Sequence, residues 1–285
     1  IINFMQTKEY IVIRWNELFK FKYIKQSLTL GIYNLMTSMY ITFNVMFLGF
    51  VSSNTEVGYY TTAFRLYAVI LSLFSALTEV MLPRMSSLIA LGNDEAFRLL
   101  ANKSLTIIVN ISIPLIVIGT MMAPQIIFVI AGSGYEGSIL PMQVIMPALL
   151  PVGIAQVLSR QILLPLKKEY VLLNASIVGG LIAIIINFLI VGHLQSLGSS
   201  IVLLVSEYLV TGIYIVYIIK KKMLNYAINA LSKSIICAVL LMVTCWLVSS
   251  YVKNTIFSLM LVFLLGTFLI GGLYKEDMMT IVKRK

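Results

Sequence analysis

Apolar residues fill long stretches of this chain, and polar residues collect in the shorter segments between them. Most of the apolar stretches are about 20 residues long, which is the length that an α-helix needs to cross the hydrocarbon layer of a membrane. The pattern therefore predicts eight membrane-spanning helices, at residues 27–51, 59–82, 104–123, 139–159, 170–191, 198–219, 232–250 and 255–274.

The segments between the spans carry signals of their own. Three of them, SSNTEVGY, HLQSLGSS and YVKNT, are short turns. The segment LGNDEAFRLLANKS is amphipathic, which predicts a short helix along the membrane surface with Asn93 or Asp94 as its cap. The fourth span contains three prolines, which predict a bent or broken helix because proline removes a backbone donor: Pro141, Pro147 and Pro151. Such a helix either accompanies a transporter substrate site or simply curves as it packs.

Composition supports the same class of protein. Hydrophobic residues make up 60% of the chain, charged residues only 11%, and the mean hydropathy is +0.98. A soluble domain would carry roughly 25% charged residues. The expected fold class is therefore an all-α, polytopic membrane protein.

The distribution of basic residues predicts the orientation. The predicted connections and ends on one side of the membrane hold 19 of the 21 lysines and arginines, whereas the opposite side holds only Lys253. This asymmetry is typical of the cytoplasmic side, so both termini of this chain are expected to be cytoplasmic. The net charge of +10 is thereby explained by topology, and nucleic-acid binding is not expected. Because the chain begins IINFMQTKEY, without an initiating methionine, we expect it to be the C-terminal part of a longer protein.

The first span carries a polar stripe. Asn34, Ser38 and Thr42 recur every four residues, so a helix places them on one face. In a membrane, such a face either hydrogen-bonds to neighbouring helices or lines a cavity.

The second span carries charges within the membrane. Thr61, Arg65, Ser72 and Glu79 share one face, with Arg65 and Glu79 about 21 Å apart along the axis, too far for an ion pair. Glu79 is close enough to the predicted cytoplasmic end to reach the membrane surface or Arg84. Arg65 either extends to the outer surface or projects into a cavity, where its guanidinium would suit a phosphate.

Glu207 lies near the middle of the sixth span. A carboxylate at that depth is expected to be neutral or paired, because burial disfavours its charged form. It either binds and releases a coupling proton or hydrogen-bonds to its neighbours. Cys237 and Cys245 are eight residues apart on one span and are interpreted as packing residues. The sequence shows no catalytic constellation, metal-ligand cluster or cofactor motif, so an enzyme is not expected.

The order of several segments resembles the second half of bacterial polysaccharide flippases of the Wzx type. The segments are VGYYTTAFRL, MLPRMS, LGNDEAFRLL, APQII, GSGYEGS, LPLKKEY and SLGSSIVLLVSE. The same superfamily holds the multidrug and toxin extrusion transporters and the lipid II flippase. The resemblance covers residues from about 20 to 220.

The resemblance implies a fold of two six-helix bundles around a central cavity. Residues 27–219 would form the second bundle, 220–274 two additional spans, 1–26 a cytoplasmic inter-bundle segment and 275–285 a cytoplasmic tail. The implied location is the bacterial inner membrane. The implied substrate is an oligosaccharide linked through diphosphate to undecaprenol, moved to the periplasmic leaflet for O-antigen or capsule synthesis, with other polysaccharide-assembly membrane proteins as partners.

The resemblance also implies roles for the polar residues. Arg65 would attract the diphosphate or an acidic sugar, and Asn34, Ser38 and Thr42 would face the glycan. Glu207 and Glu79 would be candidates for coupling to protons or sodium. Two alternatives stay open. A drug or organic-cation exporter of the same superfamily would use Glu207 and the tyrosines, and an O-antigen polymerase would be polytopic but is expected to carry a large periplasmic loop.

Overall fold

The computed structural model describes residues 21–221, 229–252 and 254–273, and side chains within 27–39, 41–221, 235–252 and 254–267. Residues 1–20 of the expected inter-bundle segment at 1–26, the whole of the expected tail at 275–285 and Lys253 lie outside the described residues.

The described chain is all-helical. Ten α-helices follow one another: α1 Phe21–Val51, α2 Asn54–Ala90, α3 Asp94–Met121, α4 Ala123–Ala131, α5 Ile139–Ile145, α6 Leu149–Gln156, α7 Glu169–Ile186, α8 Gly192–Lys220, α9 Asn229–Tyr251 and α10 Thr255–Leu273. Short 3-10 segments at Glu136–Ser138 and Met146–Ala148 and π-helical segments at Val157–Leu163 and Asn187–Val191 connect some of them.

Five helical segments of the described residues are long and apolar enough to cross a membrane. The last of them, Glu169–Lys220, has 52 residues and is kinked at Gln195, in the first turn of α8, where φ is +51°. The helices α7 and α8 pack against each other, as expected for the predicted fifth and sixth spans. Shorter apolar helices follow at Ile235–Tyr251 and Thr255–Thr267. The prediction of an all-α, multi-pass membrane protein is confirmed.

The prediction of a separate surface helix after the second span is wrong. The helix α2 continues through Pro83 to Ala90, and α3 begins at Asp94 and runs unbroken to Met121. Of the two predicted cap residues, Asn93 is the one that caps α3: its side-chain oxygen accepts a hydrogen bond from the Ala96 N–H at 3.0 Å. The basic residues of this connection therefore lie on the ends of two long helices.

The regular α-helical geometry of the fourth span is interrupted, in keeping with its prolines, and we call residues 139–163 the broken span. Residues 139–163 pass from α5 through a 3-10 turn to α6 and then into a π-helical segment. Most of this span is buried, and it contacts α2, α3 and α8. Its irregular backbone is tolerated because it lies inside the protein rather than against lipid.

Close helix contacts at small residues hold the bundle together. At Gly179 on α7, an added Cβ would stand 2.5 Å from the Val210 side chain of α8, so only glycine permits this approach. The helices α9 and α10 pack outside the main core, α9 against α3 and α10 against α4. Cys237 and Cys245 form no disulfide and are buried in that smaller cluster, which confirms their interpretation as packing residues.

Candidate functional site

A cavity of about 220 Å³ lies inside the main bundle. Side chains from α1, α2, the broken span, α7 and α8 line it, and most of the lining is polar or ionisable: Tyr33, Thr37, Gln156, Ser159, Arg160, Ser176, Glu207 and Tyr214. Polar and charged groups at membrane depth are costly and mark binding sites or ion pathways. The cavity is therefore the first candidate for a functional site.

Glu207 is the buried acid of this cavity. It lies on α8 with 9% of its surface exposed, and Tyr214 follows two helical turns later on the same face. Four phenols lie within electrostatic reach of its carboxylate: Tyr33, Tyr60, Tyr67 and Tyr214. An acid in such surroundings has the chemistry to bind a proton or a small cation.

The broken span supplies the cation of the cavity. The π-helical turn after Gln156 directs Ser159 and Arg160 into the cavity, in keeping with the frequent use of π-turns at functional sites. The Arg160 Nη1 donates a hydrogen bond to the Glu79 carboxylate of α2. The predicted fourth span ends at residue 159, just before Arg160, but the helix continues to Leu163 and brings Arg160 to Glu79.

The polar stripe of α1 lies on the outside of the described bundle. Asn34, Ser38 and Thr42 are all exposed. Thr37, next to Ser38, lines the cavity, so the stripe runs beside it. Hydrogen bonding to a neighbouring helix of the described bundle does not account for these three residues.

The polar face of α2 is also exposed, and its two charges differ in their surroundings. Arg65, Ser72 and Glu79 lie on the surface of the described bundle. Glu79 is neutralised by Arg160, whereas Arg65 has no hydrogen bond or ion pair with any described residue. The uncompensated charge on this face is therefore positive.

Two polar contacts that the sequence analysis missed fix the helices around the cavity. Asn44 is buried, and its amide donates to the Tyr60 hydroxyl and to the Ser199 carbonyl, each at 3.0 Å, which ties α1 to α2 and α8. Glu56 at the start of α2 accepts from the Ser196 N–H at 3.2 Å and from the Ser196 hydroxyl. The sequence pattern does not indicate which residues so far apart along the chain will be in contact. Arg160 was within reach of sequence reasoning, because it follows Gln156 by one helical turn.

The described residues offer no metal site. No group of three or more histidine, cysteine or acidic side chains within them is arranged to hold a metal ion. The chemistry available in the cavity is that of hydroxyl, amide, guanidinium and carboxylate groups.

Three comparisons with known proteins agree with one another. Residues 2–140 match the family described as "Polysaccharide biosynthesis protein". The chain is 28% identical over 189 residues to the "Putative O-antigen transporter" of Escherichia coli (strain K12), covering 66% of this chain and 45% of that protein. Its fold is similar to that of the lipid II flippase MurJ in an inward closed conformation, with a TM-score of 0.72 at 17% identity, covering 90% of this chain and 56% of MurJ.

The resemblance to the polysaccharide flippases is confirmed. The fold is similar to that of MurJ, and the sequence match is to a putative O-antigen transporter, in keeping with the resemblance that the segment order indicated. The chain spans about half the length of the two proteins that it matches, 45% of one and 56% of the other.

Proposed function

We propose that this chain forms one bundle of a flippase that moves an oligosaccharide, linked through diphosphate to undecaprenol, from the cytoplasmic to the periplasmic leaflet. The observation that carries the proposal is the unpaired Arg65 on an exposed polar face of a flippase fold. A guanidinium donates several hydrogen bonds in a plane and is well suited to a diphosphate.

The charge balance supports an anionic substrate. On the exposed face of α2, Glu79 is already paired with Arg160, so Arg65 determines the sign of the remaining charge. An organic cation would be repelled by that face, which argues against the drug-exporter alternative. The named transporter and flippase among the relatives support a protein without catalytic activity over the polymerase alternative.

The exposed stripe of α1 supplies a surface for the glycan. The side chains of Asn34, Ser38 and Thr42 offer amide and hydroxyl groups along one helix face, and sugar hydroxyls pair with such groups. In the proposal, the diphosphate meets Arg65 and the sugars extend along this stripe. A second bundle would face the two stripes and complete the central cavity.

Glu207 is proposed as the coupling acid. It is buried in a polar cavity beside the α1 stripe, so binding a proton or sodium ion there would alter the contacts that hold α1 against α8. Glu79 is less suited to this role, because Arg160 already compensates its charge. The proposal thus separates substrate attraction at Arg65 from ion binding at Glu207.

The proposal also includes the arrangement of the chain in the cell. Residues 27–219 form the six-helix bundle and 220–274 add two spans, with both termini in the cytoplasm of a bacterium and the spans in its inner membrane. The basic residues on one side of the predicted spans support that orientation.

Genetic complementation tests the proposal. The complete reading frame that encodes this chain is expressed in a strain lacking its own O-unit flippase, and surface polysaccharide is measured. We expect wild type and Arg65→Lys to restore polymer, and Arg65→Ala to fail at equal membrane abundance. Efflux of organic cations without restored polymer would support the exporter alternative and overturn the proposal.

A further inference from the structure

A second cavity, of about 370 Å³, opens between α2 and α3. Its lining is largely aliphatic, with Leu77 from α2 and Leu99 and Ile107 from α3 among the lining side chains. Its volume falls in the range of small-molecule sites. We call it the α2–α3 groove.

Two cations stand in the α2–α3 groove. Arg84 from α2 and Lys103 from α3 both line it, and the described lining contains no acidic side chain. Neither cation forms an ion pair or hydrogen bond with a described residue. The groove therefore combines an apolar wall with an uncompensated positive charge of two.

A buried amide with an unused acceptor lines the same groove. Gln161, from the π-helical segment, is 1% exposed, and its side-chain oxygen has no hydrogen-bond partner among the described residues. An unsatisfied buried acceptor is destabilising, because it has lost its hydrogen bonds to water. A donor carried by a ligand in the groove would remove that cost.

The α2–α3 groove is separate from the face of α2 proposed to meet the substrate. Arg84 follows Glu79 by five residues, which turns it about 140° around the helix axis. The two cavities share no lining residue. A ligand of the groove therefore occupies a different side of α2.

We propose that the α2–α3 groove binds a membrane phospholipid with an anionic phosphodiester and a hydroxyl-bearing headgroup, of the phosphatidylglycerol kind. The phosphate pairs with Arg84 and Lys103, a headgroup hydroxyl donates to the Gln161 oxygen, and an acyl chain lies along the aliphatic wall. Charge complementarity, the unused acceptor and the apolar lining each match one part of that lipid. The proposal does not depend on what the protein transports.

Native mass spectrometry of the purified full chain in detergent tests the proposal by lipid titration. The probes are phosphatidylglycerol, phosphatidylmethanol, which has the same charge and no headgroup hydroxyl, and zwitterionic phosphatidylcholine. We expect the tightest binding for phosphatidylglycerol. Arg84→Gln with Lys103→Gln should weaken it at least tenfold, whereas Arg98→Gln, an exposed cation of α3 outside the groove, should leave it unchanged.

Gln161→Leu provides the second comparison. It should abolish the preference for phosphatidylglycerol over phosphatidylmethanol while retaining the preference of both over phosphatidylcholine. Equal binding of all three lipids to wild type, or an equal loss in Arg98→Gln, would overturn the proposal. Displacement of the lipid by millimolar glycerol phosphate would also contradict it, because the free headgroup would then be the ligand.

Discussion

The Arg160 guanidinium donates a hydrogen bond to the Glu79 carboxylate across 81 residues of sequence. This contact joins α2 to the π-helical end of the broken span. Arg160 also lines the cavity that contains Glu207. The same guanidinium therefore binds one acid, Glu79, and shares a cavity with the other, Glu207. The pair thereby connects the exposed polar face of α2 with the buried acid of the bundle.

Breaking this pair should shift the pH dependence of transport. Glu79→Gln removes a negative charge near Arg160, whereas Arg160→Gln removes the positive charge itself, so the two variants change the charge around the cavity in opposite senses. The midpoint of the pH profile should therefore move in opposite directions in the two variants. Flipping assays in vesicles at a series of pH values measure both shifts.

The stability of the same two variants serves as a control for the transport assay. The side chains of Arg160 and Glu79 are 38% and 60% exposed, so losing the pair should cost less than about 1 kcal/mol of unfolding free energy. Shifts in the same direction for both variants would contradict the proposed link between the pair and Glu207.

Replacing the buried acid should remove the pH dependence itself. Glu207→Gln keeps the size and hydrogen-bonding capacity of the side chain but cannot release a proton. Transport by this variant should be independent of pH between about 5 and 8, whereas Glu95→Gln, an exposed acid in the first turn of α3, should keep the wild-type profile. An unchanged profile in Glu207→Gln would return Glu207 to a structural role.

Arg65 should be accessible to water. In a variant with both native cysteines replaced, Arg65→Cys should react with a membrane-impermeant thiol reagent, because the side chain lies on a face proposed to line an aqueous cavity. Ala63→Cys on the same helix is the matched control, since Ala63 is fully buried, lines neither cavity and should not react. Protection of both positions from every water-soluble reagent would place Arg65 against lipid.

The close contact between α7 and α8 should require a glycine at position 179. Gly179→Ala forces the Val210 side chain to move, and overpacking of this kind typically costs about 1–3 kcal/mol. Adding Val210→Ala should recover most of the loss, and Gly212→Ala should be tolerated because nothing lies within 4 Å of its added Cβ. Thermal unfolding in detergent checks the series. No rescue by Val210→Ala would show that the close contact is not the cause.

Much of the fold was predictable from the sequence because membrane thickness fixes helix length and because three prolines in one span disturb a regular α-helix. The spans, the irregularity of the predicted fourth span at 139–159 and the Asn93 cap followed from such local rules. The extension of α2 and α3 beyond the apolar stretches did not, since a helix continues wherever its backbone is satisfied and no local signal ends it before Ala90.

The candidate site was also predictable only in part: its local features followed from the sequence, and its long-range contacts did not. The faces of Arg65 and Asn34 followed from helical periodicity, and the depth of Glu207 from its position in a span. The pairing of Arg160 with Glu79 and the inward direction of Asn44 depended on contacts between segments distant in sequence. A helix pattern states which residues share a face but not which helix packs against that face.

Reconstituted flipping tests the central claim, that Arg65 attracts the diphosphate of a lipid-linked oligosaccharide, most directly. The product of the complete reading frame is placed in liposomes with the same oligosaccharide joined to undecaprenol through diphosphate or through a neutral linkage. The account predicts rapid flipping of the diphosphate lipid by wild type, at least a tenfold loss with Arg65→Ala and partial activity with Arg65→Lys. Equal flipping of both lipids, or full activity of Arg65→Ala, would contradict it.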